Sequence, residues 1–102
     1  MVGITEEEAR QFDARYLART VHYLSVGMAH VLEDTQGFVK VLVNEETGRI
    51  LGAHAIGLQA TELVNIFSVL MKNDIPVSGL RKTMFAHPSI SEIIAEVAKA
   101  FD

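Results

Sequence analysis

Strand-forming residues fill the stretch GFVKVLV, residues 37–43, in which Lys40 is the only charged side chain. The polar segment NEETG, residues 44–48, follows it and ends in a glycine, which predicts a hairpin loop with Gly48 at a positive φ. Residues 49–57, RILGAHAIG, return as a second strand, and their small side chains leave room for a helix to pack closely on that strand. This hairpin predicts an antiparallel sheet at the centre of the fold.

The N-terminal residues predict a strand end followed by a short helix. Residues 1–4 have strand character, and Thr5 with Glu8 forms a capping box that begins a helix running to about Phe12. We expect Ala9 and Phe12 to be buried on the inner side of that helix.

The segment between this helix and the hairpin divides into two parts. Residues 16–24 contain several aromatic and β-branched side chains and predict a strand. Residues 25–34 fit either a helical turn or a short irregular strand, and both alternatives stay open.

Helical periodicity dominates the chain after the hairpin. Residues 60–73 present one apolar face, which consists of Leu63, Ile66, Phe67 and Leu70 and is widened by Val64 and Met71. We expect so broad an apolar surface to be buried on more than one side, for which a subunit contact is one arrangement. Residues 77–84 predict a short helical turn, and residues 91–101 predict the last helix. The element order indicates an α+β fold: an antiparallel β-sheet with helices packed on one face.

Length and composition restrict the class of protein. With 102 residues, of which 49% are hydrophobic and 22% charged, we expect a single globular domain over residues 1–102. The formal net charge of −4 argues against nucleic acid and anionic membranes as partners. No apolar stretch approaches the ~20 residues of a membrane span, and no charged-then-apolar leader opens the chain, so we expect a cytoplasmic protein. Without cysteine, the chain alone cannot carry out dithiol–disulfide exchange.

The octapeptide FAHPSISE, residues 85–92, is the leading candidate for a chemical site. Pro88 disfavours helical geometry at His87, so this histidine should end an extended or turning segment. Ser89 can then cap a helix that carries Glu92 in its first turn. Two interpretations stay open: Glu92 completes a capping box with Ser89, or it pairs with His87 as a proton-transfer unit.

This octapeptide resembles the His-Pro-(Thr/Ser)-x-x-Glu signature of the pyridine nucleotide-disulfide oxidoreductases, the flavoenzyme family that includes dihydrolipoamide dehydrogenase and glutathione reductase. Residues 2–9, 37–40 and 47–54 resemble the start and the central hairpin of that family's C-terminal interface (dimerisation) domain, in the same order and at similar spacing. The resemblance covers nearly the whole chain. It implies that the chain is this domain, a fragment of a longer flavoenzyme, and that it lacks the first strand of the domain.

The resemblance also implies a function for His87 and Glu92. In the family, the histidine of one subunit takes a proton from a dithiol beside the disulfide of the other subunit, and a carboxylate orients that histidine. By resemblance, His87 is the acid–base residue and Glu92 its partner, within a homodimer that acts on dithiol or disulfide substrates. FAD and NAD(P) would be held elsewhere in the parent enzyme, because this chain has no Gly-x-Gly-x-x-Gly motif. We expect the chain alone to be inactive.

The chain departs from the family pattern at two positions, and rival functions remain. Phe85 stands where lipoamide-type members usually have a further histidine, which leaves the substrate class open, and Ser89 replaces the usual threonine. The main rival is a stand-alone homodimerisation module in which the His–Glu pair is idle. A zinc site of His22, His30 and His54 is a more distant alternative, because no His-x-x-x-His spacing supports it.

Overall fold

A four-stranded antiparallel sheet forms the centre of the computed structural model, which describes residues 1–102. The strands are β1 (Val2–Gly3), β2 (Tyr16–His22), β3 (Gly37–Asn44) and β4 (Ile50–Gly57), and they lie in the order β1-β4-β3-β2. The α-helices are α1 (Glu6–Gln11), α2 (Gly27–Val31), α3 (Ala60–Lys72) and α4 (Ile93–Ala100), and 3₁₀ turns cover Tyr23–Ser25, Val77–Lys82 and Ile90–Glu92. The predicted α+β class with an antiparallel sheet is confirmed. None of the helices combines the length and apolar character needed to cross a membrane.

The central hairpin pairs β3 with β4 as the sequence predicts. Its loop is closed by Asn44, whose side-chain oxygen accepts hydrogen bonds from the backbone N–H groups of Glu46 and Thr47, each at 2.9 Å. Gly48 has a φ of +73°, which a glycine adopts without steric cost. The polar turn residues therefore fix the register of the two central strands.

Alternation along β3 divides its side chains between the two faces of the sheet. Val39, Val41 and Val43 point towards α3 and α4, and all three are buried in the main core. Lys40 points to the opposite face, where its ammonium group pairs with Glu6 of α1. The two long helices share one face as predicted, and the short α1 is the exception that lies against the other face.

The main core lies between the sheet and helices α3 and α4. These helices contribute the buried side chains of Leu63, Phe67, Ile93, Ile94, Val97 and Ala98. The outward face of α3 is polar apart from Val69, which is 60% exposed. The sheet of the same chain thus covers most of the apolar face of α3. The expectation that this helix is buried on more than one side is not met within the chain.

The exposure of Phe12 and the surroundings of Gly52 differ from what the sequence predicts. Phe12 is 70% exposed, because α1 ends at Gln11 and Phe12 is its C-cap residue, after which the chain reverses through Asp13 at a φ of +53°. Gly52 makes room for backbone and not for a helix: a Cβ atom there would lie 2.1 Å from the carbonyl oxygen of Ile4. The N-terminal segment therefore lies directly against β4.

Residues 23–31 turn the chain inwards after β2, which ends at His22, two residues before the predicted strand end. Tyr23 is buried, and its hydroxyl donates a hydrogen bond to the carbonyl oxygen of Leu58 at 2.5 Å. Val26 and Ala29 are buried in the same core as α4. Of the two alternatives for residues 25–34, the helical one is correct, and it places α2 beside the 3₁₀ turn Ile90–Glu92 that leads into α4.

Candidate active site

The octapeptide of residues 85–92 forms an irregular loop that leads through a 3₁₀ turn into α4. The core holds both ends of this loop, since Phe85 packs half-buried against it and Ile90 is buried within it. Between them, the His87–Pro88 peptide bond is cis, and Ser89 has extended backbone angles. The loop is thus fixed at its ends and presents the side chain of His87 at the surface, where it is 80% exposed.

His87 and Glu92 are in direct contact. Nδ1 of His87 lies 2.7 Å from Oε1 of Glu92, and Oε2 of the same carboxylate accepts a hydrogen bond from the backbone N–H of Ser89 at 3.0 Å. The second contact is the reciprocal bond of a capping box. The two interpretations left open by the sequence are therefore compatible in geometry, because each uses a different oxygen of one carboxylate.

The electrostatics of this pair determine which ring nitrogen carries a proton. The pKa of the Glu92 carboxyl is lowered, first by the backbone hydrogen bond from Ser89 and second by the side-chain hydrogen bond with His87. An ionised carboxylate only accepts hydrogen bonds, so the proton between the two side chains belongs to Nδ1 of His87. The lone pair of the neutral ring then lies on Nε2, which makes no hydrogen bond within the chain. Nε2 is the atom through which this pair can exchange a proton.

The pair lines a cleft of about 140 Å³. The other lining residues are Ser25, Val26 and Gly27 at the start of α2, and Glu96 on α4. Known small-molecule pockets measure about 300–1,000 Å³, so the cleft admits the end of a small ligand and not a dinucleotide. Its two walls are held in place because Val26 on one side and Ile93 on the other are buried in the same core.

The other three histidines are not brought together. His54 is half-buried on β4 and its Nε2 lies 3.2 Å from the carbonyl oxygen of Ile4, a contact that joins β4 to the N-terminal segment. His22 is exposed, with its ring 6.2 Å from that of Phe38, and His30 contacts the carbonyl oxygen of Leu24 at 2.9 Å. No group of three or more histidine, aspartate or glutamate side chains is arranged to hold a metal ion.

A second polar cluster joins α1 to the sheet. Glu6 pairs with Lys40 and accepts a hydrogen bond from the Tyr16 hydroxyl at 3.0 Å, and these two contacts, that of Lys40 first, lower the pKa of the Glu6 carboxyl. Because every member of the cluster is bonded to another member, its evident role is to attach the helix to the sheet.

Sequence reasoning missed Glu96 and the segment Ser25–Gly27 as parts of the cleft. For Glu96 a signal existed, since residues four apart on a helix lie on the same face, and Glu96 follows Glu92 by four. For Ser25–Gly27 there was none, because only the packing of α2 in the core brings this segment next to the octapeptide.

Comparison with known proteins gives one consistent result. The family model for the pyridine nucleotide-disulphide oxidoreductase dimerisation domain matches residues 1–98. Among curated proteins, the chain is 36% identical over 96 residues to the probable pyridine nucleotide-disulfide oxidoreductase RclA of Escherichia coli, which covers 94% of this chain and 22% of that protein. It is also 36% identical over 99 residues to the dihydrolipoyl dehydrogenase of Chlorobaculum parvum, which covers 97% of this chain and 21% of that protein.

Solved structures agree with these matches. The HOCl-induced flavoprotein disulfide reductase RclA from Escherichia coli superimposes with a TM-score of 0.90 at 34% identity, over 98% of this chain and 23% of that one. LpdA from Mycobacterium tuberculosis superimposes with a TM-score of 0.88 at 25% identity, over 99% of this chain and 22% of that one. The chain thus spans about a fifth of the length of the curated relatives that it matches.

Proposed function

The chain belongs to the dimerisation-domain family of the pyridine nucleotide-disulphide oxidoreductases, and we therefore propose that it serves in an FAD- and NAD(P)-dependent dithiol/disulfide oxidoreductase similar to dihydrolipoamide dehydrogenase. In this proposal the domain joins two identical subunits and supplies His87 and Glu92 to the active site of the partner subunit. The observation that carries the proposal is the 2.7 Å contact between His87 Nδ1 and Glu92 Oε1, which leaves Nε2 free at the surface. The cytoplasmic location expected from the sequence is part of the same proposal.

The chemistry of the pair suits proton transfer from a dithiol. A thiol with a pKa near ~8.5 is mostly protonated at neutral pH, and the neutral imidazole of an ordinary histidine, with a pKa near ~6.5, can accept its proton. The proton moves from sulfur to Nε2 of His87, and the resulting imidazolium is stabilised by Glu92 on the far side of the ring. The thiolate then attacks a disulfide of the parent enzyme, forming a mixed disulfide and releasing a second thiolate.

In this proposal the chain does not itself hold FAD or NAD(P). It has no glycine-rich turn between a strand and a helix, and the cleft beside His87 is too small for a dinucleotide and carries two carboxylates, which would repel phosphate. The proposal therefore places both cofactors in other domains of the parent enzyme, and the chain contributes only the proton-transfer pair and the subunit contact.

Mixed dimers test whether the pair acts across the subunit boundary. We expect inactive His87→Gln subunits to regain activity when they are mixed with subunits whose own disulfide cysteines are replaced by serine. In such a dimer, one complete site forms from the cysteines of the first subunit and the His87 of the second. Purification through two different tags leaves only mixed dimers, each with one complete site of two, so the rate per dimer should be about half that of the wild type. The measurement is dithiol-dependent NAD⁺ or NADP⁺ reduction after co-expression and purification through two different tags.

The control in this experiment is each variant assembled alone, and both should be inactive. Mixed dimers as inactive as the two parents would contradict the proposal, because that result requires His87 to act within its own subunit. An active His87→Gln variant would contradict it equally, because His87 would then not be needed.

Self-association of the chain alone addresses the rival function, a homodimerisation module. Several large apolar side chains are exposed, among them Leu24, Val31 and Leu32 in or next to α2, at 62%, 71% and 49%. We expect a concentration-dependent monomer–dimer equilibrium in the micromolar range, measured by sedimentation equilibrium. A monomer at every concentration would exclude the stand-alone module, and it would leave the dimer contact of the parent enzyme to be shared with its other domains.

A further inference from the structure

The cleft beside His87 is acidic. Of its six lining residues, Glu92 and Glu96 are carboxylates and none is a lysine or an arginine. The two glutamates are four residues apart on successive turns and face the same space. A ligand that brings a thiol to His87 through this cleft approaches two negative charges.

The two carboxylates differ in what remains free for a ligand. Both oxygens of Glu92 are occupied, one by His87 and one by the backbone of Ser89. Only one oxygen of Glu96 is bonded, to the ammonium group of Lys99 at 3.1 Å, and the side chain is 37% exposed. Lys99 itself is 69% exposed and does not line the cleft. Lys99 lines the adjoining cleft together with Glu96 and offsets part of its charge, but the two carboxylates and this one ammonium group still leave a net negative charge beside His87. Replacing Glu96 by glutamine removes one negative charge whether or not Lys99 is paired with it.

We propose that Glu96 sets the charge selectivity of this site, favouring dithiols with a neutral or positively charged tail over dithiols with an anionic tail. The inference rests on the proposed function, because it requires the dithiol to reach His87 through this cleft. A negative group held about 6 Å from the Glu96 carboxylate is repelled, and in a solvated site this repulsion corresponds to a change of about 3- to 10-fold in kcat/KM. A positive group at the same distance is attracted by a similar amount.

Three probes with the same dithiol and different tails test the inference in the full-length flavoenzyme. They are dihydrolipoate (anionic), dihydrolipoamide (neutral) and the aminoethyl amide of dihydrolipoate (cationic). Two ratios are measured. The anionic ratio is kcat/KM for the anionic probe divided by kcat/KM for the neutral probe, and the cationic ratio is kcat/KM for the cationic probe divided by the same value. We expect Glu96→Gln to raise the anionic ratio by about 3- to 10-fold and to lower the cationic ratio. High salt should bring both ratios of the wild type closer to those of Glu96→Gln, since the Debye length falls from ~30 Å at 0.01 M to ~3 Å at 1 M.

The matched control is Glu45→Gln. Glu45 is an exposed glutamate in the β3–β4 hairpin loop without an ion pair, and its substitution changes the net charge equally, away from the cleft. Unchanged ratios in Glu96→Gln, or ratios that move equally in Glu45→Gln, would overturn the inference. Failure of the proposed function looks different: His87→Gln would then leave the rates with all three probes unaltered. Slow turnover of every probe by His87→Gln, together with unaltered ratios in Glu96→Gln, would reject the charge selectivity alone.

Discussion

Replacement of His87 by glutamine in the parent enzyme should slow its reaction with dithiol by about 10²–10⁴-fold, the usual contribution of general acid–base catalysis. Glutamine fills a similar space and still forms hydrogen bonds, but it cannot accept the thiol proton. Stopped-flow spectroscopy of the two half-reactions gives the rate. The half-reaction with the nicotinamide nucleotide should change little, because the proposal places that chemistry in other domains.

Two further variants separate catalysis from structure in this experiment. Glu92→Gln should slow the dithiol half-reaction less than His87→Gln, since it removes the orienting charge and leaves the base in place. Because Glu92 also accepts the Ser89 N–H bond, the unfolding midpoint of this variant must be measured beside its rate. His22→Gln is the matched control, an exposed histidine outside the cleft. Equal dithiol rates in the wild type and His87→Gln would show that His87 takes no part in proton transfer.

Phe67→Ala should lower the free energy of unfolding by about 3–5 kcal/mol, the usual cost of removing a buried aromatic ring. Phe67 is 0% exposed and packs in the main core between α3 and the sheet, so its loss leaves a cavity that the rigid sheet cannot close. Urea denaturation followed by circular dichroism gives the free energy from the midpoint and slope of the transition.

Val69 provides the control for this prediction. It lies on the same helix two residues later and is 60% exposed, so Val69→Ala should change the free energy of unfolding by less than about 0.5 kcal/mol. Equal destabilisation by the two variants would mean that α3 does not pack on the sheet through Phe67.

The elements built on local patterns could be predicted from the sequence. The β3–β4 hairpin follows from a run of strand formers and a polar loop ending in Gly48, and α3 follows from the spacing of Leu63 and Phe67. Both patterns involve residues that lie close together in the sequence, so they can be recognised without knowledge of the tertiary structure. The position of Phe12 could not be predicted, because a helix of only six residues has no margin for an error of one residue at its end.

The candidate site was predictable in part. The spacing of His87 and Glu92 allowed both a capping box and a proton-transfer pair, and only three-dimensional coordinates assign one oxygen of Glu92 to each contact. The second wall of the cleft, Ser25–Gly27, comes from a segment far away in the chain. Its position depends on the burial of Val26 and on the inward turn at Tyr23, which are tertiary effects without a local sequence pattern.

The double use of the Glu92 carboxylate links the stability of the domain to its proposed chemistry through one titration. Its pKa is lower in the folded protein than in the unfolded chain, so ionised Glu92 favours the folded state above the unfolded pKa, and this contribution is lost as the pH falls through the folded pKa. Protonation of this one carboxyl would weaken both the cap on the Ser89 backbone and the orientation of the His87 imidazole, because a neutral carboxyl accepts hydrogen bonds less strongly than a carboxylate. A variant enzyme selected for activity in acid would therefore have to replace both the contact with Ser89 and the contact with His87. A substitution that restores only the helix cap would give a stable domain in which His87 is not oriented for proton transfer.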